Sequence, residues 1–176
     1  GQLGLPLFVK PNAGGSSFGI TKVKSEKELI PALEKAWEES SDALIEEFID
    51  GTEFTCGLVQ LKNEMLIFPV TEVIPKNEFF DFEAKYTPGA TDEITPARLP
   101  EELFRKCQQL SAAIYKKCNC SGIARIDYIL KGGTFYFLEV NTTPGMTETS
   151  FIPQQINAMG LTLKQVISRI IDESLA

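Results

Sequence analysis

The sequence predicts an α+β fold of two lobes, each built on antiparallel strands with helices packed against them. Three observations predict it. Short apolar runs recur between tight turns, as in a meander over residues 43–75 and a hairpin over residues 123–140. Helical periodicity is confined to residues 25–37, 100–118 and 151–171. The chain has 176 residues, enough for one large domain or two small lobes, and a long irregular stretch follows residue 75. The expected division is therefore a smaller lobe over residues 1–75 and a larger one over residues 76–176.

Residues 7–10, Leu-Phe-Val-Lys, read as a strand. PNAGGSSFG at 11–19 is a glycine-serine loop, and residues 20–23 read as a returning strand. Ser25 stands as an N-cap with Glu28 at the capping-box position, and Leu29, Leu33, Ala36 and Trp37 follow at helical spacing. ALIEEFI, EFTCGLVQL, a Lys62-Asn63 turn and MLIFPVTEVI then read as an antiparallel meander. Residues 77–98 mix aromatics, charges, Pro and Gly and read as a long loop. Pro100 opens a helix to about Cys118, with Leu103, Leu110 and Ile114 as its apolar stripe. Residues 123–130 and 134–140 flank a Lys131-Gly132-Gly133 turn, and helices at 151–159 and 163–171 are separated by Gly160.

Composition removes several function classes. The formal net charge is −7, which argues against a nucleic-acid footprint but not against a small anionic ligand in a local basic pocket. No apolar run approaches the roughly 18 residues of a membrane span, and the start lacks a signal-peptide pattern. Residue 1 opens almost directly on a strand, so sequence is expected to precede it. Cys56, Cys107, Cys118 and Cys120 lack zinc-ligand spacing and read as reduced thiols of a cytosolic protein. Histidine is absent, which removes histidine general acid–base catalysis, Ser-His-Asp triads and histidine-ligated metals. Chemistry falls to carboxylates, lysines, arginines, hydroxyls or a hard metal.

The hairpin carries the densest set of such groups. Side chains alternate across a strand, so Arg125 and Asp127 share one face and Glu139 and Asn141 share another. If the turn centres near Gly132, positions 125 and 139 lie roughly opposite and all four polar groups fall on one side; a bulge at Gly132-Gly133 would shift that register. Two carboxylates and an amide oxygen suit Mg²⁺ or Mn²⁺. A solvated face with an Arg–carboxylate pair would give the same pattern. Arg125 cannot ligate a metal and is suited to charge developing on an acyl or phosphoryl group.

Other pieces are weaker singly. Lys10 ends a strand before a loop whose Gly14, Gly15, Ser16 and Ser17 allow backbone N–H groups to approach phosphate; a surface lysine before a flexible turn looks the same, and the spacing is not a Walker A motif. The link from Glu46 to Glu53 combines apolar residues with carboxylates able to meet an adenine edge and ribose hydroxyls, or merely joins two strands. Lys85-Tyr86 sits in the long loop, either as part of a closing lid or as an exposed pair.

Taken in order, VKPNAGGSSFGI, EEFIDGTEFT, FEAKYTPG, GIARIDYIL and FLEVNTTPGMTETS resemble the ATP-grasp superfamily, and more narrowly the D-alanine–D-alanine ligases, over nearly the whole chain. The resemblance implies two α+β lobes with antiparallel sheets enclosing a nucleotide site. It implies that Lys10 and Lys85 bind nucleotide phosphate, that Ser16 lies in the loop over the γ-phosphate, and that Glu46, Phe48, Ile49 and Glu53 hold adenine and ribose. Tyr86 is implied toward substrate; related depsipeptide ligases carry histidine there, so Tyr86 favours an amine acceptor. Arg125 is implied as the residue that stabilises the tetrahedral intermediate. Asp127, Glu139 and Asn141 are implied as ligands of two Mg²⁺ or Mn²⁺ ions, and Gly145 and Ser150 as contacts to the second D-alanine carboxylate.

The implied reaction joins two D-alanines through an acyl phosphate at the expense of ATP, for peptidoglycan precursor synthesis in the bacterial cytoplasm. The expected partners are D-alanine and ATP, without nucleic acid or membrane, in a full-length homodimer. Family members carry an N-terminal domain and the start of the central lobe before the position of Gly1. The chain is therefore expected to be a C-terminal portion, inactive alone. The alternatives are another ATP-grasp carboxylate–amine ligase and a nucleotide-binding module without chemistry of its own.

Overall fold

The computed structural model describes residues 3–15, 17–75 and 91–175. The chain separates into two compact units, Gly1–Asp50 with Pro75–Asp92 and Gly51–Ile74 with Glu93–Ala176. This division differs from the expected one at residue 75. Residues 52–59 form eight antiparallel pairings with residues 123–130, and that ladder ties them to the later part of the chain.

In the first unit, β1 (Leu7–Pro11) lies between β2 (Thr21–Val23) and β3 (Ala43–Glu47), antiparallel to both. Helix α1 (Leu29–Glu39) covers one face, where Leu7, Val9 and Val23 meet Ala32 and Ala36. The helix is preceded by a 3-10 turn at Glu26–Glu28 rather than starting at Ser25. The capping pair forms differently from the sequence expectation. Glu28 accepts from the Ser25 hydroxyl at 2.8 Å and from the Lys24 N–H at 2.8 Å, and the pair of hydrogen bonds holds its pKa below the ordinary value. Trp37 sits on the solvent side of α1, not in its stripe. Strand β3 joins this sheet instead of continuing into a meander.

The second sheet has the order β7-β6-β4-β8-β9, with β5 also paired to β4. Its strands are β4 (Thr52–Gln60), β5 (Met65–Ile67), β6 (Thr71–Pro75), β7 (Thr91–Ile94), β8 (Ile123–Lys131) and β9 (Thr134–Asn141). The run MLIFPVTEVI divides into β5 and β6, both antiparallel to β4. Pro69 lies in the gap and has no N–H to continue a ladder. Strand β7 forms at the end of the stretch that reads as loop in the sequence.

Helix α2 (Glu101–Lys117) packs on one face of this sheet. Its buried line is Cys107, Ser111 and Tyr115, one step round from the leucines, and it meets Phe54, Cys56, Leu58, Ala124, Ile126 and Tyr128. Burial pushes the Cys56 thiol up to about 12, and the four cysteines are free, as the reduced-thiol reading expects. On the opposite face, α3 (Phe151–Ala158) and α4 (Leu163–Leu175) cover only one end, where Ile152, Ile156 and Val166 meet Val59 and Ile123. The rest of that face carries Glu53, Arg125, Asp127, Glu139 and Asn141, with Ile129 and Tyr136 beside them. No helix among the described residues is long and apolar enough to cross a membrane.

Candidate active site

The hairpin β8–β9 turns at Gly132 and Gly133, both at positive φ (56° and 78°), as a two-residue turn requires. From Lys131↔Thr134 to Tyr128↔Phe137 the pairs advance evenly. Then Leu138 intrudes, and the ladder resumes as Asp127↔Glu139 and Arg125↔Asn141. The bulge thus lies opposite the Asp127/Tyr128 step, not at the turn, and Arg125 faces Asn141 rather than Glu139. The four polar residues nevertheless share one face.

The bulge is what makes this possible. Phe135 and Val140 both pack into the core beneath, although they are five positions apart and strict alternation would oppose them. One extra residue reverses the parity, which keeps both in the core and turns Glu139 and Asn141 to the other side. The arrangement sets Glu139 directly across from Asp127. Like charges facing across a ladder are destabilising, so a cation is the natural complement.

Arg125 supplies one. Its Nε donates to Asp127 Oδ1 at 2.9 Å and its Nη2 to Oδ2 at 2.8 Å, a two-point pair with 14% and 8% of the side chains exposed. The Thr55 hydroxyl donates to Asp127 Oδ1 at 2.6 Å from the neighbouring strand, where Thr55 pairs with Asp127. Burial pulls the Arg125 pKa down, but the Asp127 charge and hydrogen bonds, then Glu139 and Glu53, outweigh it and the net shift is upward. Glu53, opposite Ile129, belongs to this same face. The Arg125 guanidinium also lies 5.3 Å from the Phe151 ring, at the first turn of α3.

Gly145 and Ser150 come together in the loop before α3. A Cβ at Gly145 would lie 2.8 Å from Ser150 Oγ, so a side chain there would force the serine hydroxyl to shift. Ser150 Oγ lies 2.8 Å from Thr147 Oγ1, and the Ser150 N–H donates to the Thr147 carbonyl at 2.8 Å. Beside this turn, Gln154 Nε2 donates to Glu93 Oε2 at 2.6 Å and to the Thr149 carbonyl at 2.9 Å. Burial raises the Glu93 pKa against the lowering effects of Gln154 and Arg125.

In the first unit, the face opposite α1 presents Phe8, Lys10, Lys22, Leu44 and Glu46 by alternation. Lys10 Nζ is 2.7 Å from Glu46 Oε2. Phe48 stacks obliquely on Phe8 at 5.9 Å, and Lys22 Nζ lies 3.9 Å over the Phe48 ring. Ile49 is half-buried in the following connector. The sequence-predicted residues Ser16, Lys85 and Tyr86 lie outside the described residues.

The sequence reading missed Thr55, Gln155 and Lys22. Signals existed for the first two. Gly57 in the middle of a strand marks a close approach, and Gln155 interrupts the apolar stripe formed by Ile152 and Ile156. Nothing in the local sequence distinguishes Lys22 from other surface lysines.

The donor set fits a hard divalent ion. Asp127 and Glu139 face each other and Asn141 is the next residue on that face. An ionised carboxylate offers about four lone-pair directions, and Thr55 and Arg125 occupy three of those on Asp127, leaving one. Among the described residues no group of three or more His, Cys, Asp or Glu is arranged to hold a metal; the third donor here is an amide.

Two antiparallel-sheet units, with a glycine-serine loop between β1 and β2 and an Arg–carboxylate hairpin facing a Gly–Ser turn, define an α+β fold of the ATP-grasp class. Solved structures agree. The chain superposes on the D-Ala:D-Ser ligase VanG of Enterococcus faecalis with TM-score 0.85 at 38% identity, covering 95% of this chain and 49% of that one. It superposes on an ATP-complexed D-alanine–D-alanine ligase of Bacillus anthracis with TM-score 0.79 at 38% identity, covering 98% and 54%. A D-alanine–D-alanine ligase of Bacteroides fragilis is 55% identical over 172 residues, 97% of this chain and 53% of that protein. The profile of the D-ala D-ala ligase C-terminus matches residues 1–172, and the chain belongs to that family. It spans about half the length of the curated relatives it matches.

Proposed function

We propose that the natural polypeptide carrying this chain joins two D-alanines at the expense of ATP, supplying D-alanyl-D-alanine for peptidoglycan precursors in the bacterial cytoplasm. The observation that carries the reading is the bulged hairpin, which collects Arg125, Asp127, Glu139 and Asn141 on one face of a family member's sheet. The 55% identity to a protein named D-alanine–D-alanine ligase favours D-alanine as acceptor over the D-serine of VanG, with which identity is 38%. Tyr86 favours an amine acceptor as well.

In the proposed reaction a carboxylate oxygen of one D-alanine attacks the γ-phosphorus of ATP, and ADP leaves. The amine of a second D-alanine then attacks the acyl carbon. The acyl–oxygen bond breaks, phosphate departs, and the amine gives up a proton. Lys10 and Lys85 bind nucleotide phosphate, with Ser16 in the covering loop. Glu46, Phe48, Ile49 and Glu53 hold adenine and ribose. Arg125 stabilises the oxyanion formed when the amine adds, its pairing with Asp127 keeping the guanidinium in place beforehand. Asp127, Glu139 and Asn141 would hold two Mg²⁺ or Mn²⁺ ions, which neutralise phosphate charge when bound. Gly145 and Ser150 hold the acceptor carboxylate, and Tyr86 closes toward substrate. The polypeptide is proposed to act as a homodimer.

The test is ADP and dipeptide formation by the natural polypeptide with D-alanine, D-serine or D-lactate as acceptor. D-alanyl-D-alanine is expected as the preferred product, and no turnover with any of the three would overturn the reading. Residues 1–176 expressed alone are expected to release no phosphate. Glu139→Gln is expected to abolish turnover and Mg²⁺-dependent ATP binding by calorimetry; near-wild-type values would remove Glu139 from the metal site.

A further inference from the structure

Gln155 is fully buried on the side of α3 that otherwise carries Ile152 and Ile156. Burying an amide there is unfavourable unless its polar atoms are met. They are. Its Oε1 accepts from the Gly57 N–H at 2.9 Å, while Nε2 donates to the Thr55 carbonyl at 3.1 Å and to Thr71 Oγ1 at 3.0 Å. Both N–H donors are used, and turning the amide over would set N–H against N–H at Gly57.

The need arises from the broken edge of β4. Its pairing with β6 ends at Thr55↔Thr71 and its pairing with β5 begins at Leu58↔Ile67, so Cys56 and Gly57 fall in the gap. The Gly57 carbonyl accepts from the Phe68 N–H at 2.8 Å, and Gln155 meets the remaining Gly57 N–H. The contact is close enough that a Cβ on Gly57 would run into Ile152 and lie 2.6 Å from Gln155 Oε1. Gly57 and Gln155 are matched: one lets the helix in, the other ties it down.

The tie sits between two parts of the proposed site. On the strand side, Thr55 gives its carbonyl to Gln155 and its hydroxyl to Asp127, the partner of Arg125. On the helix side, Gln155 lies one turn after Phe151, whose ring meets Arg125, and Ser150 immediately precedes that turn. We infer that Gln155 is a positioning residue that sets the distance between the acceptor platform at Gly145 and Ser150 and the Arg125–Asp127 pair. The inference rests on the ligase reading and specifies which half-reaction the tie governs. It controls attack by the second amino acid, not phosphorylation of the first.

Gln155→Met keeps the length of the side chain and removes every hydrogen bond. Gly57→Ala leaves the amide and pushes the helix away. In the natural polypeptide, each is expected to raise KM for the acceptor D-alanine about tenfold while KM for ATP stays within about twofold, because misplacement affects the attacking amine alone. ADP is expected to form in excess over dipeptide as the acyl phosphate is lost to water. A merely structural role would lower the melting temperature and leave the ADP-to-dipeptide ratio at one. An unchanged ratio in either folded variant overturns the inference, and if Gln155→Met does not fold, the ratio measured for Gly57→Ala decides. Failure of the wild type to make ADP with D-alanine is a separate result, seen before any variant, and overturns the ligase reading together with the inference.

Discussion

Two cation–carboxylate pairs, one in each unit, are built differently. Lys10 meets Glu46 at a single 2.7 Å contact, with 21% and 42% of the side chains exposed. Arg125 meets Asp127 at two points, with 14% and 8% exposed, and Thr55 and Phe151 hold the pair from a neighbouring strand and a helix. A compact ammonium on a flexible stem can leave its partner at little cost; a guanidinium fork in a desolvated setting cannot. The first pair is suited to exchanging Glu46 for an incoming anion. The second is set before any ligand arrives, as stabilisation of a transient charge demands.

The contrast breaks first at Arg125. Arg125→Lys retains the charge but not the fork, and kcat/KM of the natural polypeptide is expected to fall about 10²–10³-fold. Activity within a few fold of wild type would show that the charge alone suffices and that the two-point geometry is incidental. The same measurement on Lys10→Met is expected to give a smaller, differently distributed effect. KM for ATP should rise about tenfold, on the scale of one lost charge-assisted hydrogen bond. Folding stability should change by less than about 0.5 kcal/mol, as for other partly exposed pairs. A large loss of stability would mean that the Lys10–Glu46 contact is structural and not held in reserve.

Legibility in the sequence follows the same division. Alternation and turn residues disclose the hairpin and the α+β class, because each depends on two or three neighbouring residues; the shared polar face needs the bulge as well. The position of the bulge is not disclosed. Phe135, Phe137, Glu139 and Asn141 have one parity, and only packing against Ile126 and Tyr128 decides that the parity must change at Leu138. The division between units is hidden for a similar reason, since the β4–β8 pairing joins residues about 70 positions apart. Gln155 was visible as a polar residue in an apolar stripe, but its purpose depends on a gap in the ladder created by Pro69, far away in sequence.

The smallest expected effect concerns acid stability, and it sharpens the contrast by adding two carboxylates of opposite tendency. Glu72 is buried and accepts two hydrogen bonds from the Arg98 guanidinium, at 2.8 and 2.9 Å, and these hold its pKa below the ordinary 4.5. A depressed folded-state pKa contributes stability that is present above the unfolded value and is lost as pH falls through the folded one. Glu93 is shifted the other way by burial, above 4.5. Its contribution is present below the unfolded value and is lost as pH rises through the folded one. Urea midpoints measured from about pH 7 to about pH 3 on Glu72→Gln and Glu93→Gln should therefore diverge in sign. Glu72→Gln is expected to be less stable than wild type at neutral pH, by about 1 kcal/mol, with the deficit closing below pH 4.5 as wild-type Glu72 becomes protonated. Glu93→Gln keeps an acceptor for Gln154 and is expected to be slightly more stable at neutral pH, the advantage vanishing at higher pH than the Glu72 deficit, as pH falls through the raised folded-state pKa toward 4.5. Parallel pH profiles for the two variants would show that neither burial nor the Arg98 pair governs the acid limb. Divergent profiles would extend to Glu72 what distinguishes Asp127 from Glu46: a carboxylate fixed by a guanidinium fork is part of the folded structure, whereas one left to a single flexible lysine is available for exchange.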